Sequence, residues 1–133
     1  MQYPVSHGMK TTSDMNVETS ICRDMYDWLY ILATKVSFAN EIYQICDKLK
    51  VDYDKVVEYA TLDDRLGKSH WNVPGPDGDF GFGGHCLPKD LSALIFLAMN
   101  LNTETNVLNA VEETNDVVRK NRDWEQMKGR AVI

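Results

Sequence analysis

Apolar residues recur at three- and four-residue steps through the first half of the chain. Ile21, Met25, Trp28, Leu29, Leu32, Val36, Ala39, Ile42, Tyr43, Cys46 and Leu49 follow this rule. The spacing lines one face of a helix. No glycine or proline interrupts residues 17–51, so one long helix is predicted there, well beyond the roughly 11-residue average. A helix of that length in a small domain cannot bury its whole stripe against its own chain. A second copy packed along it is therefore expected, giving a homodimer through the long helix.

Residues 52–60 read as a second, short helix with Val51, Val56, Val57 and Ala60 on its apolar side. The character then changes. Residues 61–84 hold Pro74, Pro76 and six glycines, with turn chemistry concentrated in Pro74-Gly75-Pro76-Asp77-Gly78. A loop this long inside a domain is either functional or disordered, and Trp71, Phe80 and Phe82 argue for order. Helical signals resume at Pro88, which suits a first turn because its missing N–H would be unpaired there anyway. Asp90 is expected in that same turn, where the helix dipole favours a carboxylate. Leu91, Leu94, Ile95 and Ala98 continue the stripe. A last helix is predicted over 105–120, with Val107, Leu108, Val111, Val117 and Val118 inward, and Trp124 and Met127 closing the core. Residues 130–133 resemble the start of a strand. The expected architecture is all-α, with a loose polar tail over 1–16 and a helical domain over 17–133.

Composition narrows the function. The chain has 133 residues, 26% of them charged and 44% hydrophobic, and a formal net charge of −6. Those proportions suit one folded domain. An acidic chain repels phosphate backbones, so nucleic acid is a poor partner. No apolar run reaches the roughly 18 residues of a membrane span, and the N-terminus has no signal-peptide core. A cytoplasmic protein with no membrane partner is expected. Three cysteines, Cys22, Cys46 and Cys86, do not make a disulfide framework. Cys22 and Cys46 fall in helical patterns as small packing residues or surface thiols.

The segment Gly81-Phe82-Gly83-Gly84-His85-Cys86-Leu87-Pro88-Lys89-Asp90 concentrates the chemistry. Glycines permit positive φ and close approach of a ligand to the backbone. A thiol beside a helix N-terminus meets the positive end of the dipole, unpaired N–H groups and, here, Lys89. These favour its nucleophilic form. The plain alternative is a glycine-rich turn with an incidental cysteine. A metal site from His70, Asp77, Asp79, His85 and Cys86 fits no standard zinc spacing, and Pro76 to Asp79 is too short for a twelve-residue calcium loop. No metal is expected.

This segment resembles the Gly-Phe-Gly-Gly-x-Cys-x-x-Lys-Asp signature of the UDP-glucose/GDP-mannose dehydrogenase family. Lys35-Val36-Ser37-Phe38-Ala39-Asn40-Glu41-Ile42 is similar to the family's long central helix, and Asp64-Arg65-Leu66-Gly67 to its short Arg-hydrophobic-Gly element. The resemblance runs from about Leu32 to Ile133, with a few extra residues around 74–78. It implies a helical domain like the C-terminal domain of 6-phosphogluconate dehydrogenase. It also implies oxidation of the C6 alcohol of UDP-glucose to a carboxylate by two NAD. The resemblance makes Cys86 the nucleophile that attacks the intermediate aldehyde and carries the thioester. Asp90 assists water and proton transfer, and Lys89 borders the cofactor pocket. Backbone N–H groups of Gly81 to Gly84, including Phe82, Gly83 and Gly84, hold substrate. Arg65 reaches the substrate of the other subunit.

Two features depart from the family pattern. There is no Gly-x-Gly-x-x-Gly turn after a strand, so no NAD is expected to bind this chain alone. The helix positions where the family carries a Lys and an Asn are Met25 and Leu29 here, and losing an oxyanion donor costs about a hundred- to a thousand-fold in rate. The expectation is therefore a central dimerisation domain with part of the substrate loop, inactive alone. Its alternative is an NAD-dependent UDP-glucose dehydrogenase completed by a separate Rossmann-domain chain. Plain structural roles stand beside these: Arg65 capping or pairing at a helix end, His70 and Trp71 packing the loop, Lys35 solvated, and Asn40 bonding to another helix.

Overall fold

A computed structural model describes residues 29–84 and 86–126. The 1–16 tail, the predicted helix before Leu29, Cys22, Met25, His85, Met127 and the 130–133 segment lie outside the described residues. Among the described residues every regular element is helical: α1 Leu29–Leu49, α2 Tyr53–Ala60, a 3₁₀ turn Asp64–Leu66, α3 Cys86–Asn100, α4 Asn106–Val118 and α5 Asp123–Gln126. The all-α expectation holds. No helix among them is long and apolar enough to cross a membrane.

The long helix packs against α3 and α4 on one side and meets α2 near its C-terminal end. Ala39 and Cys46 of the predicted stripe are buried, while Leu49 at its end is exposed. Tyr30 and Ala33, outside that stripe, are buried too, joined by the polar pair Ser37 and Asn40. Small residues here let neighbouring backbones come close. Ser37 Oγ then donates to the Val111 carbonyl at 2.8 Å, which ties α1 to α4. Two hydrophobic clusters result. Tyr30, Ala33, Phe82, Leu91 and Val111 form the first, with Val36, Leu94 and Leu108 against it. Ala39, Cys46, Tyr53 and Val73 form the second, with Tyr43, Trp71 and Phe80 against it. Asp52 caps α2, its carboxylate accepting from the Asp54 and Lys55 amides. This is the usual use of an aspartate at that position.

Several local expectations are corrected. Helix α3 begins at Cys86 rather than Pro88. A proline fits anywhere in a first turn, since those amides have no partner inside the helix, so Pro88 did not have to be its first residue. Asp90 consequently falls beyond the first turn, and the dipole no longer accounts for it. On α4 the inward stripe is Leu108, Val111, Asn115 and Val118. Val107 and Val117 face outward, Val117 with 82% of its surface exposed. Of the valines predicted inside, those two lay off the true face because a polar residue, Asn115, occupies the buried step.

Candidate functional site: the glycine–cysteine loop

The loop before α3 is folded by side chains from three other elements. Asn40 on α1 donates through Nδ2 to the Val36 carbonyl at 2.8 Å. Its Oδ1 accepts from the Gly81 amide at 3.2 Å. Asn40 thus bonds to a loop, not to another helix. Asn115 on α4 grips Phe82 at both ends of one residue: Oδ1 accepts from the Phe82 amide at 2.7 Å and Nδ2 donates to its carbonyl at 2.9 Å. Both asparagines are buried. Asp123, at the start of α5, accepts the Gly84 amide with both carboxylate oxygens at 3.0 Å.

Arg119, just past the end of α4, closes this arrangement. Its side chain is only 1% exposed. Nη2 donates to Asp77 Oδ2 at 2.7 Å, and Nε donates to the Asn121 carbonyl at 2.7 Å. Nη1 lies 3.4 Å from the Phe80 carbonyl. The Asp79 and Asp123 carboxylates stand 3.7 Å and 3.8 Å away. A buried guanidinium is tolerable only when paired in this way. The hydrogen bond from Arg119 holds the Asp77 carboxyl below its ordinary range. Asp79 is lowered chiefly by the Asn121 amide, with Phe80 and the Arg119 charge adding to it.

This packing explains two glycines. A Cβ on Gly83 would strike the Arg119 guanidinium and the Asp123 carboxylate. A Cβ on Gly81, whose φ is +67°, would strike Asn115 Oδ1. The glycines admit the protein's own side chains as closely as they would a ligand. Three of the loop amides have partners inside the chain: those of Gly81, Phe82 and Gly84 are donated to Asn40, Asn115 and Asp123. Within residues 81–84 that leaves the Gly83 amide. Asp77 and Asp79 are likewise committed to Arg119 and to local amides.

Cys86 is the first residue of α3 and is exposed, whereas Cys46 is buried. Lys89 and Asp90 follow at three and four residues, so the three side chains share one helical face. Lys89 is exposed and Asp90 half-buried. The structure thus brings Cys86, Lys89, Asp90, Phe82, Gly83 and Gly84 together around one loop and helix start. Arg65 stands elsewhere, on the exposed 3₁₀ turn. Its guanidinium forms a fork on Asp63, with contacts of 2.6, 2.9 and 3.1 Å. That hydrogen bond lowers the Asp63 carboxyl. Lys35 is not merely solvated: Nζ donates to the Leu66 carbonyl at 2.8 Å and lies 4.8 Å from the centre of the Trp71 ring. Trp71 Nε1 in turn donates to the Gly67 carbonyl at 2.9 Å.

Residues 29–117 match the family model described as the UDP-glucose/GDP-mannose dehydrogenase family, central domain. The chain belongs to this family. A UDP-glucose 6-dehydrogenase of Bacillus subtilis (strain 168), TuaD, is 39% identical over 88 residues, which cover 66% of this chain and 18% of that protein. A GDP-mannose 6-dehydrogenase of Pseudomonas savastanoi pv. phaseolicola is 42% identical over 84 residues, 62% of this chain and 18% of that protein. Among solved structures, a UDP-glucose dehydrogenase from the hyperthermophilic archaeon Pyrobaculum islandicum superposes with a TM-score of 0.64 at 34% identity. The superposition covers 75% of this chain and 22% of that one. The chain spans about a fifth of the length of these relatives.

The described residues do not fit a dinucleotide. A pyrophosphate needs a strand, a glycine turn and free amides at a helix start. No strand occurs among the described residues, and of the amides at residues 81–84 those of Gly81, Phe82 and Gly84 are engaged as above.

Asn115, Arg119 and Asp123 escaped the sequence reading. For Asn115 a signal existed, since an asparagine at a core step of an apolar stripe is a buried polar group in search of partners. Arg119 follows it by one helical turn on the same face.

Proposed function

We propose that this chain supplies the cysteine-bearing, dimer-forming part of a nucleotide-sugar 6-dehydrogenase, with NAD held by a Rossmann-type unit outside the described residues. One observation carries the reading: Cys86 is exposed at the first turn of α3, directly after a loop whose shape is set by buried side chains. In this reading the thiol attacks a sugar aldehyde, and Lys89 and Asp90 on the same helical face assist charge and proton movement. NAD, when bound, would accept the hydrides. Leu29, half-buried at the start of α1, cannot serve as an oxyanion donor. Alone, the chain does not reduce NAD.

Dimerisation belongs to the same proposal. Val36 of the predicted seam packs into the first cluster. Ile31, Phe38 and Ile45, seven residues apart, are each about half exposed, Phe38 at 54%. A seven-residue apolar repeat of this kind supports a seam between two copies of the helix.

The test is a steady-state assay with UDP-glucose and NAD. The chain alone is expected to give no NADH. Addition of the separately purified dinucleotide-binding part of the Bacillus subtilis relative is expected to give turnover about a hundred- to a thousand-fold below that of the intact relative, and Cys86→Ser abolishes it. Turnover by the Cys86→Ser mixture at the unmodified rate would sink the assignment. In light scattering the chain is expected as a dimer and Phe38→Asp as a monomer. An unmodified chain that is monomeric at all concentrations would remove the seam.

A further inference from the structure

We propose that Arg119, acting with Asp123, is a positioning residue for Cys86. This rests on the reading of Cys86 as the nucleophile. Gly83 and Gly84 lie immediately upstream of the thiol's helix. Arg119 and Asp123 both occupy the space where a Gly83 side chain would be, and Asp123 holds the Gly84 amide. Arg119 also gathers Asp77, the Phe80 carbonyl and the Asn121 carbonyl around one buried guanidinium. The far end of α4 is thereby joined to the entrance of α3. Without the guanidinium, Asp77, Asp79 and Asp123 face one another with no central cation, and like charges drive them apart. The loop is released at the point where Cys86 enters its helix. The thiol at the first residue of α3 then loses the fixed backbone that presents it.

The experiment uses the full chain and reads hydrogen exchange residue by residue together with alkylation of Cys86. In Asp123→Ala the Gly84 amide is expected to exchange about tenfold faster or more, the scale of losing one charge-assisted hydrogen bond. In Arg119→Ala the Phe82 and Gly84 amides both accelerate and Cys86 alkylates several-fold more slowly. The amides of Ser37 to Asn40 on α1 stay as protected as before. Millimolar guanidinium ion restores both readouts in Arg119→Ala, and equal sodium chloride does not. If Arg119→Ala does not fold, Asp123→Ala carries the test, because it leaves the Asp77 pairing intact. Parallel acceleration of loop and α1 amides would mean that Arg119 only supports the fold, and overturns the proposal. So would unchanged loop amides or unchanged Cys86 alkylation. Neither readout uses sugar or NAD. If both move as expected while the Cys86→Ser mixture stays active, the nucleophile reading fails and the positioning of the loop stands.

Discussion

Two loop regions lean on α1, and they are fastened by opposite means. The loop ahead of Cys86 is held from inside, by Asn40, Asn115 and Arg119, all buried. The turn carrying Arg65 is held from outside, by Lys35 on the Leu66 carbonyl, Trp71 on the Gly67 carbonyl and an exposed Arg65–Asp63 pair. Buried polar groups leave no cheap alternative, because an unmade bond there goes unreplaced by water. Exposed ones trade partners freely. The first region therefore has one shape. The second is a surface turn whose arginine can exchange Asp63 for another anion at little cost.

The largest expected contrast follows from removing each cation. Arg119→Met leaves carboxylates around an uncharged centre and should destabilise the chain by about 3 kcal/mol, within the range for breaking a buried pair. Chemical denaturation measures it. A loss below the measurement error would show that Arg119 is solvated in solution and that the two regions are fastened alike. Asn115→Ala should follow at about 2 kcal/mol, since it leaves the Phe82 amide and carbonyl buried without partners.

These residues also mark how far the fold and site could be read from sequence. The helices were legible because their apolar steps are regular: Ala39, Leu91 and Val111 bury where a 3.6-residue period puts them. Cys86 was legible because its neighbours are distinctive. The fastening was not. Asn40 and Gly81 are 41 positions apart, and Arg119 and Asp77 are 42 apart. Such pairs leave no local period. The glycines were read as room for a ligand, since sequence shows that space is needed but not what fills it. Here the filler at Gly81 and Gly83 is Asn115, Arg119 and Asp123.

Acid titration sharpens the contrast. Asp77 and Asp79 are lowered from an ordinary value of 3.8. Their folded-state pKa values lie below those of the unfolded chain, so their contribution to stability is complete above the ordinary carboxylate range. It is lost as pH falls through the folded values, where the native state finally takes up the protons. Stability against pH below about 4 should flatten in Arg119→Met. An unchanged acid limb would separate these carboxylates from Arg119. Next in size is Tyr53→Phe. The hydroxyl donates to the Trp71 carbonyl at 2.6 Å, and burial, chiefly, raises the phenol to about 12. Its loss should cost about 1 kcal/mol.

The smallest effect belongs to Lys35→Met. Lys35 holds the Arg65 turn through one hydrogen bond and the face of Trp71. At an exposed site a cation over a ring is worth about 0.5–1 kcal/mol, and the methionine stem keeps part of the packing. Stability should fall by only a few tenths of a kcal/mol. Salt decides whether the reasoning is right. At about 1 M ionic strength the screening length shrinks to roughly 3 Å, so the difference between Lys35→Met and the unmodified chain should narrow further. The Arg119→Met difference should persist, because its guanidinium is 1% exposed. If both differences shrink together, the two fastenings are equally wet. If neither shrinks, Lys35 acts through its packing on Trp71 rather than its charge, and the turn is more firmly set than its exposure implies.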